Sequence, residues 1–598
     1  MNLARILVLP FATTLACTTF AHGAVFIAGA GCDYATAQGA IDAAEEAPGA
    51  DEVRIVANQD YFESLLVIDD GELDIVGGFE SCDATEPNGA TLISGAGAPA
   101  SSVFAFSGDG TVRAHHLVLS DGDSSGSGGG ILFLSVSGTL EIRNMSITGN
   151  HANQGGGIAA LGPEKRRGAL PVLKIGPNVV ISNNSAWSGG GVYVTYMRLD
   201  MSDAEQSSIF LNHADQDGGG VYLAAAAADI GSGNALGTIF LNDAGWQGGG
   251  IYAQDGSDIR LFTTRANVPV RIDTNSADLG GAIALLGTDG PPTRATLIDA
   301  IVDGNGAGQG SGLYAEALGD NVAAICMRDR VHAADAGICA DADVPDAAVD
   351  CDSALRCNRL SGSEVIGDPT SGAGASAEGL FATLDFRGTR IEDNALTPVL
   401  LRQASDSASG ANLVLSDCEI SGNHSTAGPL IASSGTLIET EINGCTIAGN
   451  DYSSTYVLAS TGPARFTETI VWQPGKLVYI NYADVTVRAA ASMVLAHDSD
   501  SLEFEPGTVT TDDPLFVDAA NGDFHLVPGL SPAIDFSGLA GGSSFDLDDM
   551  PRGNDDSEIV DRFGPRDLGA HETPRSDCIF GDGFEISHPG ACGPEPTF

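Results

Sequence analysis

The chain has 598 residues, 78 of them glycine and 6% aromatic, with a formal net charge of −52. Such a field makes nucleic acid and anionic membrane surfaces poor partners. A globular chain of this length usually splits into several domains, whereas a repeat that grows in one dimension need not.

Residues 1–23 read as a signal peptide. Arg5 precedes an apolar run from Ile6 to Ala16, small residues follow, and cleavage is expected after Ala21 or Gly23. The mature protein is therefore expected to be secreted or displayed at the cell surface, with the periplasm as a further option. No other stretch reaches about 18 uninterrupted apolar residues, so no membrane-spanning helix is expected in the mature chain.

Residues 24–100 are expected to form an N-terminal cap and the first coils. They hold one short helical stretch, Ala35 to Ala47, flanked by Cys32 and Cys82. A solenoid needs such a cap to cover its open end.

Residues 101–316 carry a repeat. Three glycines and an aliphatic residue start at Gly128, Gly155, Gly189, Gly218 and Gly248, and Gly280-Gly281-Ala282-Ile283 is nearly the same. Successive copies are 27, 34, 29, 30 and 32 residues apart. A period near 30 marks stacked units, each too short to bury a core alone. An asparagine precedes the glycines at Asn150, Asn184, Asn212, Asn242, Asn275 and Asn305, and the column resumes at Asn394, Asn423 and Asn450. Asparagine tolerates left-handed backbone, and its amide can donate and accept along a stack. After the glycines come alternating runs such as Val192-Tyr193-Val194 and Val221-Tyr222-Leu223. Period two means strand. The expected fold is all-β, a right-handed parallel β-helix in one elongated domain, with the handedness taken from strand twist.

The first and third residues of each such run should point inward and the second outward. The outward column is Leu132, Ala159, Tyr193, Tyr222, Tyr252, Ala284 and Tyr314. Trp187 and Trp246 stand two residues before their glycine triplets. An exposed aromatic strip here would stack on sugar rings or on a partner protein. The competing reading is that the tyrosines pack on one another or under a loop.

Residues 317–366 break the pattern with Cys326, Cys339, Cys351 and Cys357, and are expected to form a disulfide-bonded insertion. No Cys-x₂-Cys pair favours zinc. Coils should resume over 367–510, where Cys418 and Cys445 share matching contexts 27 residues apart and should stack. Residues 511–572 form a distinct end region, and residues 573–598 a tail whose Cys578 and Cys592 would close a loop. All ten of these cysteines are disulfide candidates in an oxidising compartment.

Two stretches resemble known families. Phe210-Leu211-Asn212 with Gly218-Gly219-Gly220-Val221, and Asn275 with Gly280-Gly281-Ala282-Ile283, resemble the repeats of polymorphic outer-membrane proteins. That resemblance implies a surface-exposed or secreted β-helix used in adhesion. The translocating barrel of that family has no counterpart here. Asp513-Pro514-Leu515-Phe516, Gly522-Asp523-Phe524-His525-Leu526, Ser531-Pro532-Ala533-Ile534-Asp535 and Asp567-Leu568-Gly569-Ala570-His571-Glu572 look like the end region of the choice-of-anchor Q group of bacterial β-helix proteins. There the region closes the helix and precedes varied anchors.

Parallel β-helices often cleave polysaccharides, so catalysis has to be considered. A uronate lyase needs a basic residue beside a carboxylate neutraliser. Lysines stand only at Lys165, Lys174 and Lys476, and no two arginines are expected in register on neighbouring repeats. Asp215 and Asp217 near His213 are a candidate carboxylate pair, read here as a solvated turn. His525 and His571 are read as structural. No metal site is expected, and surface Ca²⁺ lacks an Asp-x-Asp-x-Asp-Gly loop. The favoured function is non-enzymatic binding of carbohydrate or a surface protein. The alternatives are an enzyme on acidic polysaccharide and a purely structural rod.

Overall fold

The computed structural model describes residues 23–328 and 359–574, apart from short internal breaks. The signal peptide, Cys339, Cys351, Cys357, Cys578 and Cys592 lie outside the described residues.

The chain is a parallel β-solenoid. Three parallel sheets of 29, 16 and 8 strands run along it, the largest taking two strands from each regular turn. Register is uniform in the central turns: Val192, Tyr193 and Val194 pair with Val221, Tyr222 and Leu223, which pair with Ile251, Tyr252 and Ala253. Because neighbours pair without offset, each inward position becomes a ladder. Ile131, Ile158, Val192, Val221, Ile251, Ile283 and Leu313 form one such ladder, fully buried. Each of these side chains contributes about 1.5–3 kcal/mol through burial.

The glycines of a triplet have different tasks. Gly218 takes φ +69°, the left-handed region that an L side chain resists. Gly219 does not, but a Cβ there would lie 2.4 Å from the carbonyl oxygen of Asp243 on the next turn. One glycine turns the chain and the next lets the turns approach.

The asparagine ladder also forms. From Asn150 to Asn305 each Nδ2 donates to the next Oδ1 at 3.0 Å. Asn212 Nδ2 also donates to Ile181 O, while its Oδ1 accepts the backbone N–H of Asn184. One side chain thus satisfies backbone groups on two neighbouring turns. The ladder recurs at Asn394, Asn423 and Asn450.

At the N-terminal end the helix Ala37–Glu45 is capped by Thr36, whose Oγ1 accepts from Gly39 N at 3.1 Å. Its apolar face of Ala37, Ala40, Ile41 and Ala44 joins the solenoid core. Cys32 and Cys82 are disulfide-bonded across a separation of 50 residues. Cys326 is also disulfide-bonded.

Two expectations need correction. Cys418 and Cys445 stand immediately before the paired strands Glu419–Ser421 and Thr446–Ala448, on adjacent turns, but are free thiols. Cys418 Sγ donates to Phe386 O and Cys445 Sγ to Leu415 O, each toward the preceding turn. In-register side chains point the same way along the stack, so the two thiols lie one above the other; burial, and then the neighbouring Cys445 thiol, push the Cys418 thiol up. The segment expected to break the repeat at residue 317 also begins as regular structure. The strand Leu313–Arg328 continues the large sheet and pairs with Ala373–Arg387.

Candidate ligand-binding cleft

Each turn passes from its second strand to the next sheet through a corner. At His116, Asn144 and Asp299 that corner is one residue with φ of 58°, 47° and 50°. Three intervening turns expand it to residues 202–207, 231–238 and 263–269. Ser202, Asp203, Glu205, Ser232, Thr264 and Arg265 of these loops line a cleft of about 420 Å³. It crosses several turns, and its charged lining is Glu141, Arg143, Lys174, Asp203, Glu205 and Arg265.

Glu141 and Lys174 of the lining belong to an outward column in register that runs on to Arg113 on one side and Asp200 on the other. Most cations here are committed. Arg113 Nη1 pairs with Glu72 and Asp74, Lys174 with Asp203 at 3.9 Å, and Arg265 with Glu205 at 3.3 Å. Arg143 is half-buried and has no ion pair among the described residues. In a chain with 79 acidic and 27 basic side chains, an uncommitted guanidinium in a cleft is a notable allocation. Burial, together with the Arg143 charge, pushes the neighbouring His115 imidazole down to about 4 and lowers His116. His115 is therefore neutral near pH 7 and leaves Arg143 as the local cation.

The tyrosine column does not form the exposed strip that the alternation suggests. Tyr193 and Tyr222 are 8% exposed, Tyr252 and Tyr314 3%. The rings stack, Tyr193 on Tyr222 at 4.5 Å and Tyr222 on Tyr252 at 5.1 Å between centroids. Residues just before the glycines cover them. Gln154 Nε2 donates to Tyr193 Oη and Leu279 packs in the cluster, while burial, with smaller contributions from Tyr193 and Asp217, raises the Tyr222 phenol. Trp187 and Trp246 do project, 52% and 49% exposed, two turns apart, Trp187 on the eight-stranded sheet and Trp246 in the bend after the strand Asp243–Ala244.

The candidate pair Asp215 and Asp217 diverges. Asp215 is exposed and meets His213 Nε2 at 3.3 Å, while His213 Nδ1 meets Asp243 at 2.9 Å. Asp217 turns inward, where its Oδ1 is buried without a hydrogen-bond partner. Burial pushes Asp217 up to about 6, against a backbone hydrogen bond involving Gln247.

His525 and His571 come together in the end region, with ring centroids 4.2 Å apart. Asp548 lies between them, and Glu419 and Arg390 approach from the coils. Nothing in the sequence marked Asp548, Glu419 or Arg390, because Glu419 and His571 are 152 residues apart. The arginine expectation was also wrong. Arg328 stands in register with Arg387, Arg359 with Arg390, and Arg465 with Arg488. The first pair is tolerated because Asp385 bridges it, 2.7 Å from Arg328 Nη2 and 2.8 Å from Arg387 Nε.

No protein-family model and no curated protein matches the chain. Among the described residues no helix is long and apolar enough to cross a membrane.

Proposed function

We propose that this chain is a secreted or surface-displayed β-solenoid that binds an extended polysaccharide bearing carboxylates in the corner cleft, where salt screens the net charge of −52 beyond about 8 Å and local cations decide. The uncommitted Arg143 carries this reading, because a guanidinium is suited to bidentate capture of a carboxylate. The turns are about 4.8 Å apart, close to the length of one pyranose unit, so successive sugars would meet successive turns. Salt bridges hold Lys174 and Arg265 in place. That arrangement suits gripping a ligand better than moving a proton, so binding without cleavage is favoured. Secretion is supported by the N-terminal signal pattern and by the Cys32–Cys82 disulfide, which belongs to an oxidising compartment. The resemblances to polymorphic outer-membrane protein repeats and to the choice-of-anchor Q end region favour the same setting.

Affinity electrophoresis through gels containing a polyuronate or a neutral glucan tests this. The polyuronate should retard the wild type, and Arg143→Ala should remove most of that retardation at unchanged melting temperature. Trp187→Ala with Trp246→Ala should retain it. Equal retardation of wild type and Arg143→Ala would place the ligand elsewhere. New reducing ends or unsaturated products would mean cleavage.

A further inference from the structure

We propose that His525, Asp548 and His571 bind one divalent transition-metal ion, of the Zn²⁺ type, where the end region meets the coils. The inference is independent of the cleft. Three donor atoms converge: His525 Nε2 is 2.9 Å from Asp548 Oδ2, and His571 Nδ1 is 2.5 Å from the same oxygen. All three lie within 4.8 Å of one another. Ligands at about 2.0–2.2 Å from a common ion stand somewhat further apart than these contacts. Binding therefore asks Asp548 and the half-exposed His525 to part slightly.

The surrounding groups favour this use. A histidine that binds a metal through one nitrogen usually gives its other N–H to a carboxylate. Here His525 Nδ1 meets Asp523 Oδ1 at 2.6 Å, and His571 Nε2 meets Glu419 Oε2 at 2.9 Å. Glu419 is itself fixed by Ser421 Oγ at 2.7 Å, and the second oxygen of Asp548 accepts from Arg390 Nη2 at 2.7 Å. Each ligand is therefore held from behind. Binding displaces the proton that Asp548 and Glu419 hold on His571, and the directly bonded groups are then three carboxylates and one guanidinium, a net −2 that a dication balances. Two imidazoles and one carboxylate favour Zn²⁺ and its first-row neighbours over Ca²⁺ or Mg²⁺. His571 is buried and His525 is 49% exposed, so one side of the ion would face water. The ligands come from the hairpin strand Asp523–Leu526 and from positions 548 and 571, and the outer carboxylate and guanidinium from the coils. The ion would fasten the one to the other.

The test uses the full chain, stripped with EDTA and titrated with Zn²⁺ by calorimetry. The proposal expects one ion per chain and a higher melting temperature with Zn²⁺ than with EDTA. His525→Ala and Asp548→Asn should abolish both effects, and Asp523→Ala should weaken binding about 10–100-fold. His213→Ala removes the other exposed histidine–carboxylate group and should change neither. His525→Gln replaces the alanine variant if circular dichroism in EDTA shows lost structure. No Zn²⁺ uptake by the wild type, or uptake lost in His213→Ala and kept in the His525 variants, would overturn the proposal.

Discussion

In the turns from Gly128 to Tyr314 the same contact is made again and again, whereas after residue 511 almost every contact is made once. The asparagine amides from Asn150 to Asn305 repeat one neutral hydrogen bond at 3.0 Å. The end region docks instead through single buried charges. Arg552 pairs with Asp417 at 2.6 Å and with Glu572 at 3.5 Å, and Arg566 with Glu468 at 3.2 Å. Repetition spreads the stability of a solenoid over many equal neighbours. Single buried ion pairs concentrate it, because losing one partner strands a desolvated charge.

This contrast can be broken at several strengths. The largest effect is expected at Arg552, whose side chain is 1% exposed. Arg552→Ala should destabilise docking of the end region by about 3–5 kcal/mol. Hydrogen exchange over 511–574 should then accelerate while the turns around Tyr222 keep their protection. Uniform acceleration throughout would mean that the two regions share one cooperative unit.

Asn212→Ala should come next, at about 2–4 kcal/mol, because it orphans the Asn184 N–H and the Ile181 carbonyl. Denaturant unfolding of the full chain measures it. A loss below about 0.5 kcal/mol would show that neighbouring rungs or water replace the amide.

Asp217 gives a smaller effect with a pH signature. Its folded value of about 6 lies above the ordinary 3.8, so the folded state holds its proton more tightly than the unfolded state. Its contribution is greatest below about pH 4 and is lost as pH rises through about 6. Asp217→Asn should therefore stabilise the protein by about 1–3 kcal/mol at pH 7 and make little difference at pH 3.5. Equal effects at both pH values would show that Asp217 is solvated. Least of all, Trp187→Ala should change stability by less than about 0.5 kcal/mol, as expected for a projecting side chain.

What could be read from the sequence follows the same division. Glycine triplets and asparagines recur near a 30-residue period, so the corners, the register and the inner ladder appear as columns before any coordinates. The burial of Tyr193, Tyr222 and Tyr252 could not be read that way. Alternation tells inside from outside, but not that Gln154, Asp217 and Leu279 fold over the outer face. The cleft depends on corners that lengthen at 202–207, 231–238 and 263–269, where the repeat spacing barely changes. Extra residues in one corner are offset by fewer elsewhere in the turn. Whether Arg143 has an ion pair depends on where the carboxylates of other turns fall, which no local pattern states. The histidine cluster is built from contacts spanning up to 158 positions, and no local pattern encodes that.

A structure of the chain with a uronate oligosaccharide tests the central claim most directly. The sugar should lie in the corner cleft across successive turns, with a carboxylate on the Arg143 guanidinium. A ligand seated on Trp187 and Trp246 with the cleft empty would contradict it.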